Sequence, residues 1–125
     1  MSSKSVSERV KAGAEWLDGV MPEWWRRVDP ARLDMSSGTF WPGYVFDCGC
    51  VAAQLDAFRS DGFGTLCDFV QRYEMTDSDV RTLGFDALDI ERGDDIFEYT
   101  AGAAAELEQL GDAWKLEISA RRSQA

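Results

Sequence analysis

The chain contains no histidine. Histidine is the commonest side chain for acid–base chemistry near neutral pH and the commonest ligand for transition metals, so its absence removes the usual centre of most hydrolase mechanisms. A phosphate-cradling glycine loop, a serine elbow and an Asp-rich calcium loop are missing as well. No apolar run approaches the roughly 18 residues of a membrane span. The polar start, Met1 to Gly13, lacks the cationic-then-apolar pattern of a secretory leader. The expected setting is the cytoplasm, with no membrane partner.

Cysteine is sparse and odd in number: Cys48, Cys50 and Cys67. Free thiols are the default for such a set in an intracellular chain. With Asp47 or Asp68 the three thiols offer donors for zinc, but structural zinc sites pair two closely spaced knuckles and the second is missing here. No metal or cofactor is therefore expected. A helix N-terminus near Cys48 would lower a thiol pKa, which keeps a Cys-based metal or redox protein as an alternative; otherwise these cysteines line the core as small hydrophobes.

Basic side chains are also few, 13 against 23 acids, for a formal charge of −10 and a pI near 4.3. Such a field repels nucleic acid and anionic membranes. It favours a basic partner surface, or serves solubility alone.

Aromatic residues, in contrast, are plentiful: five Trp, seven Phe and three Tyr. Each ring buries on the order of 150–250 Å², ample for the core of one small domain. Residues 1–125 are expected to form that domain, frayed at both ends.

Hydrophobic spacing predicts a mainly α fold, a compact bundle of about four to five helices. Ser5 and Glu8 have capping-box spacing and precede Val6, Val10, Gly13/Ala14, Leu17 and Val20/Met21. Pro22 ends that helix or begins a new turn, and at a first helical position it would suit one or two turns carrying Trp24 and Trp25, one ring directed to the core and the other covering it or left for a partner. Asp29-Pro30 predicts a further helical turn. Residues 38–47, with Phe40, Trp41, Tyr44 and Phe46 among Pro and Gly, predict an aromatic loop or short strand. A second helix follows Asp47 or Cys48 with Val51, Leu55 and Phe58 on its buried face. A third spans Thr65–Tyr73. A fourth, capped by Thr76 with Asp79, closes at Gly84 with Phe85 packing back. The last runs from Thr100 to Arg122 on Ala103, Leu107, Leu110, Trp114 and Ile118.

Two constellations stand out as binding surfaces. Trp24, Trp25, Phe40, Trp41, Tyr44 and Phe46 exceed what a short irregular segment needs for its own order, and exposed Trp and Tyr are frequent interface anchors. Trp25, Trp41 and Tyr44 are the expected contact residues. Between Glu74 and Glu98 lie nine acids and only Arg81 and Arg92. That density can imitate nucleic-acid phosphates, with Asp94, Asp95 and Glu98 meeting a basic partner, or can be a solvated acidic connection. No single carboxylate among so many stands out as catalytic, so an enzyme is not expected.

The strings Ala12-Gly-Ala-Glu-Trp-Leu-Asp18, Pro22-Glu-Trp-Trp-Arg-Arg-Val-Asp29 and Leu33-Asp-Met-Ser36 carry a resemblance, as do Cys48-Gly-Cys-Val-Ala-Ala-Gln-Leu55, Leu83-Gly-Phe85 and the final run from Leu110 through Ala113-Trp114 to Arg121-Arg122. Together, in this order, they resemble a family of small uncharacterised proteins of actinobacteria and the bacteriophages that infect them. The sequence departs from that pattern at Ala52-Ala53 and in the acidic connection. The resemblance implies a phage or prophage accessory protein in the host cell that binds a host protein. It implies no chemistry and transfers no functional residue. An acidic mimic of nucleic acid is the alternative mechanism, and a homodimer the alternative assembly.

Overall fold

A computed structural model describes residues 5–35, 50–60, 66–86 and 104–124. Five α-helices carry the described fold: α1 (Val6–Val20), α2 (Val51–Ser60), α3 (Leu66–Arg72), α4 (Asp77–Thr82) and α5 (Ala104–Gln124). A 3₁₀ turn, Trp24–Arg26, follows α1. No strand occurs among the described residues. The aromatic segment 38–47 lies outside them.

α1 starts where its caps dictate. The Ser5 hydroxyl accepts from Glu8 N–H at 3.2 Å, and the Glu8 carboxylate accepts from Ser5 N–H at 3.1 Å, which satisfies two of the amides a helix start leaves unpaired. Its inner stripe is Arg9, Val10, Gly13, Ala14 and Leu17. That stripe packs on α5, and the ion pairs Arg9–Glu106 and Asp18–Arg121 show the two helices running parallel. α5 presents Leu107, Leu110, Trp114 and Ile118 to the core, at the spacing read from the sequence. Along another flank of α5 the segment 28–35 runs back, with Val28 beside Arg122 and Met35 over Gly111. α2 packs on α3.

Both short helices end in the same way. After α4, Phe85 N–H bonds Val80 C=O at 2.9 Å and Gly84 N–H bonds Arg81 C=O at 3.1 Å, with Gly84 at φ +73°. After α3, Met75 N–H bonds Val70 C=O at 3.0 Å and Glu74 N–H bonds Gln71 C=O at 3.2 Å, with Glu74 at φ +52°. These are paired Schellman stops, and the second puts a residue with a Cβ where glycine is preferred. Left-handed backbone costs such a residue roughly 1–2 kcal/mol. Replacement Glu74→Gly is expected to raise stability by up to about 1 kcal/mol, since glycine's greater freedom in the unfolded chain offsets part of the relief. Urea unfolding of the two proteins checks it; an unchanged or lower midpoint would show that the strain at Glu74 is no larger than the entropic cost of glycine.

α4 docks its C-terminal end onto α1 at very close range. A Cβ on Gly13 would fall 1.9 Å from the Leu83 carbonyl oxygen, and one on Gly84 would fall 2.9 Å from Val10 Cα. Two side chains collect the carbonyls there. Arg9 Nε donates to Arg81 O at 2.9 Å and its Nη2 to Asp86 O at 3.0 Å, while the Trp114 indole N–H donates to Gly84 O at 2.8 Å. The Arg9 and Arg81 guanidinium groups both meet Glu106, each at 3.3 Å. Burial lowers the Arg9 pKa from its ordinary value, an effect that Glu106 opposes.

Aromatic rings form the middle of the core. Trp24 meets Trp114 edge-on at 5.5 Å, Trp114 stacks on Phe85 at 5.5 Å, and Phe85 leans on Phe69 at 5.3 Å. Trp16 stands edge-on to Phe69, Phe85 and Tyr73. Such pairs contribute roughly 0.5–1.5 kcal/mol each beyond their buried area.

Two sequence expectations need correction. Pro22 does not open a helix: it lies in a turn, Glu23 follows at φ +63°, and only the 3₁₀ turn Trp24–Arg26 forms. Asp29-Pro30 makes the expected single turn, held by Arg32 N–H to Asp29 O and Leu33 N–H to Pro30 O, with the Asp29 carboxylate accepting from Ala31 N–H at 2.9 Å. Phe58 is not on a buried face. The first six residues of α2, Val51 to Asp56, are buried on every side, so apolar spacing loses its meaning there, and Phe58 emerges 51% exposed beneath the Arg27 guanidinium, 4.1 Å from the ring centre. Enclosure takes in polar groups as well: Gln54 accepts from Asp29 N–H at 2.7 Å, and fully buried Asp56 pairs with Arg72 at 3.3 Å.

Candidate protein-binding groove

Adjacent tryptophans on a single 3₁₀ turn must diverge, and here they do. Trp24 is fully buried against Trp114, whereas Trp25 stays half-buried at the mouth of an open groove between α1 and α5. Lys11 and Asp18 from α1, and Glu117, Ala120, Arg121 and Gln124 from α5, complete the lining. Arg26 covers the Trp25 ring at 4.8 Å and is anchored by Glu23 at 3.0 Å.

The floor of the groove is an ordered charge network. Arg121 grips Asp18 with two nitrogens, at 3.1 and 2.8 Å, and reaches Glu117 at 2.6 Å. Asp18 also accepts from the buried Trp24 indole N–H at 2.9 Å, and the Arg121 guanidinium lies 5.6 Å from the Trp24 ring centre. Bidentate pairing of this kind fixes geometry as well as charge. An acid in the last turn of a helix is normally unfavourable, because the carbonyl end carries partial negative charge. Since α1 and α5 run parallel, Arg121 from the last turn of α5 reaches the last turn of α1 and offsets both ends at once. Arg122 completes the arrangement by donating to Trp25 O at 3.2 Å and Val28 O at 3.0 Å, which holds the 3₁₀ turn in place.

The Asp18 carboxyl titrates below its ordinary value of 3.8, chiefly through the Arg121 hydrogen bonds and secondarily through the Trp24 N–H, against a cost of partial burial. A depressed native pKa means that the unfolded chain binds this proton more readily. The stabilisation is therefore present above the unfolded value and fades as pH falls through the native one. With the side chain 45% exposed, solvent screening limits the effect to no more than about 1 kcal/mol. Asp18→Asn is expected to lose that amount at pH 7 and almost none once the pH is below the lowered native pKa of Asp18. Urea midpoints of both proteins across acid pH test this; a gap that stayed constant would show that the carboxylate charge is not what stabilises.

Of the residues singled out as contacts, Trp25 is placed by the structure at this groove. Trp41, Tyr44, Asp94, Asp95 and Glu98 lie outside the described residues, as does Cys48. Cys50 is buried just ahead of α2, where its sulfur accepts from Ala53 N–H at 3.4 Å, and Cys67 belongs to α3. Among the described residues, no three His, Cys, Asp or Glu side chains gather as metal ligands, and no helix is long and apolar enough to cross a membrane. In the acidic stretch, Asp79 is committed to the α4 capping box, accepting from Thr76 N–H at 3.1 Å. Sequence reasoning missed Lys11, Asp18, Glu117, Arg121 and Gln124 as neighbours of Trp25, because about a hundred residues separate the two walls. No protein-family model, curated protein or solved structure matches this chain.

Proposed function

We propose that this chain is a phage-type accessory protein that acts by binding a host protein in the cytoplasm, and that Trp25 in the α1/α5 groove is a principal contact. The observation that carries this reading is the divergence of the two tryptophans: one completes the core, and its neighbour is left half-buried beside a preorganised charge network. Partly exposed aromatic rings on rigid supports lose little conformational freedom on binding, and for that reason they dominate interface energetics. The resemblance to phage and actinobacterial proteins supports the host setting. The lack of histidine supports binding over catalysis.

Affinity purification of the tagged protein from an actinobacterial host, at low and moderate salt, tests the reading. A partner retained at moderate salt and lost with Trp25→Ala, with helicity and unfolding midpoint nearly preserved, is the expected result. Truncation of an interface anchor of this type costs about 2 kcal/mol or more, roughly thirtyfold in affinity. A partner indifferent to Trp25 but released by salt would move the contact to the acidic 74–98 stretch and to nucleic-acid mimicry. Recovery of the bait alone would refute host-protein binding.

A further inference from the structure

We propose that the joint between α3 and α4, residues 73–76, is a release point built into the fold: it opens while the rest of the core stays closed, swinging the Tyr73 ring out and uncovering Trp16 and Phe69. Two matched helix stops occur in this molecule, and they differ in what keeps each one closed. The stop after α4 is relaxed and clamped. Its left-handed residue is Gly84, Phe85 is fully buried, and Arg9 and Trp114 donate to the carbonyls of Arg81 and Gly84. The stop after α3 has a left-handed Glu74 that is exposed, and among the described residues no side chain donates to the carbonyls of Tyr73, Glu74 or Met75.

A second, independent observation falls on the adjacent residue. The Tyr73 hydroxyl is shut off from solvent and has no hydrogen-bond partner among the described residues. Backbone strain and an unpaired polar group thus sit side by side, and one movement relieves both. Turning Tyr73 outward hydrates its hydroxyl and frees Glu74 to leave the left-handed region. Opposing that movement, the Tyr73 ring meets Trp16 edge-on at 5.3 Å and Phe69 at 4.9 Å, and Met75 packs partly buried against the core.

The opening is small. It breaks the bonds from Glu74 N–H to Gln71 O and from Met75 N–H to Val70 O, and it leaves the Arg9 and Trp114 clamps between α1, α4 and α5 in place. The unpaired hydroxyl favours the open joint by on the order of tenfold. Glu74 adds about threefold relative to glycine, because glycine is also freer once the joint is open. Unfavourable local geometry persists only where the surroundings enforce it, and it collects at elements that change state. This inference rests neither on the Trp25 groove nor on any partner.

The test is amide hydrogen exchange of the full chain followed by NMR, with protection factors corrected for the intrinsic rate of each sequence. Glu74 and Met75 are expected to be at least about thirtyfold less protected than Gly84 and Phe85. Their exchange should be nearly independent of low urea, the mark of an opening that exposes little surface. Tyr73→Phe should raise protection at Met75 about tenfold, as removal of an unpaired polar group does, and Glu74→Gly about threefold. The proposal is overturned if the two stops are equally protected, or if Met75 follows the urea dependence of Phe85. It is overturned equally if either substitution leaves protection at Met75 unchanged or lowers it; for Tyr73→Phe that result would show that water satisfies the hydroxyl in the closed joint.

Discussion

Replacing Gly13 by alanine is expected to destabilise the protein by about 3 kcal/mol or more, the upper range for forcing atoms into a filled core. The added methyl would point at the Leu83 carbonyl oxygen, 1.9 Å away, with the Trp114 ring edge at 3.1 Å behind it. Backbone is on the receiving side, so no rotamer change relieves the clash. α4 must move off α1, and with it go the Arg9 bond to Arg81 O and the Trp114 bond to Gly84 O. Gly19, in the same helix, is the internal control, because a methyl there meets nothing within 4 Å. Gly19→Ala should instead gain up to about 1 kcal/mol from helix propensity. Opposite shifts in urea midpoint from the same substitution six residues apart would be hard to obtain any other way. If both variants gained stability, the α1–α4 approach would be wrong.

The second large effect is expected at Trp114. Its ring contacts Trp24 and Phe85, and its N–H satisfies Gly84 O in a buried setting. Trp114→Ala should cost about 3–5 kcal/mol, as truncation of large buried aromatics does. Trp114→Phe restores most of the stacking but leaves the Gly84 carbonyl unpaired, a penalty of roughly 1–3 kcal/mol. A Phe variant as stable as the parent would mean that water reaches that carbonyl. A Phe variant as damaged as the Ala variant would make the hydrogen bond, rather than the ring, the dominant contribution.

Local signals in the sequence located the helices well, and for a physical reason. Caps and stops are decided within a few residues, so Ser5 with Glu8, Thr76 with Asp79, and Gly84 with Phe85 could be read directly and were found in place. Glu74 was not legible, because nothing in its side chain announces a left-handed backbone; only the neighbouring turn requires it. Arg9 was missed because a charged residue beside a helix start normally faces water, and its partners lie in α4 and α5. Gln54 and Asp56 were hidden by the same non-locality. For the candidate groove, the pairing of one buried and one partly exposed tryptophan followed from their adjacency. The Asp18–Arg121–Glu117 floor did not, since it needs the parallel docking of α1 on α5, which no local pattern encodes.

That parallel docking has a bearing on how the chain acquires its structure during synthesis. The inner stripe of α1 is covered mainly by α5, the last of the described helices to be made. At roughly 5–20 residues per second, about a hundred residues must follow before α5 exists, a delay on the order of 5–20 s. Throughout that interval Val10, Ala14 and Leu17 have no α5 to cover them, and Trp24 lacks Trp114. The nascent chain therefore passes through a stage whose apolar face is open to chaperones, and premature termination anywhere before residue 104 yields a product without its central packing partner rather than a smaller version of the fold.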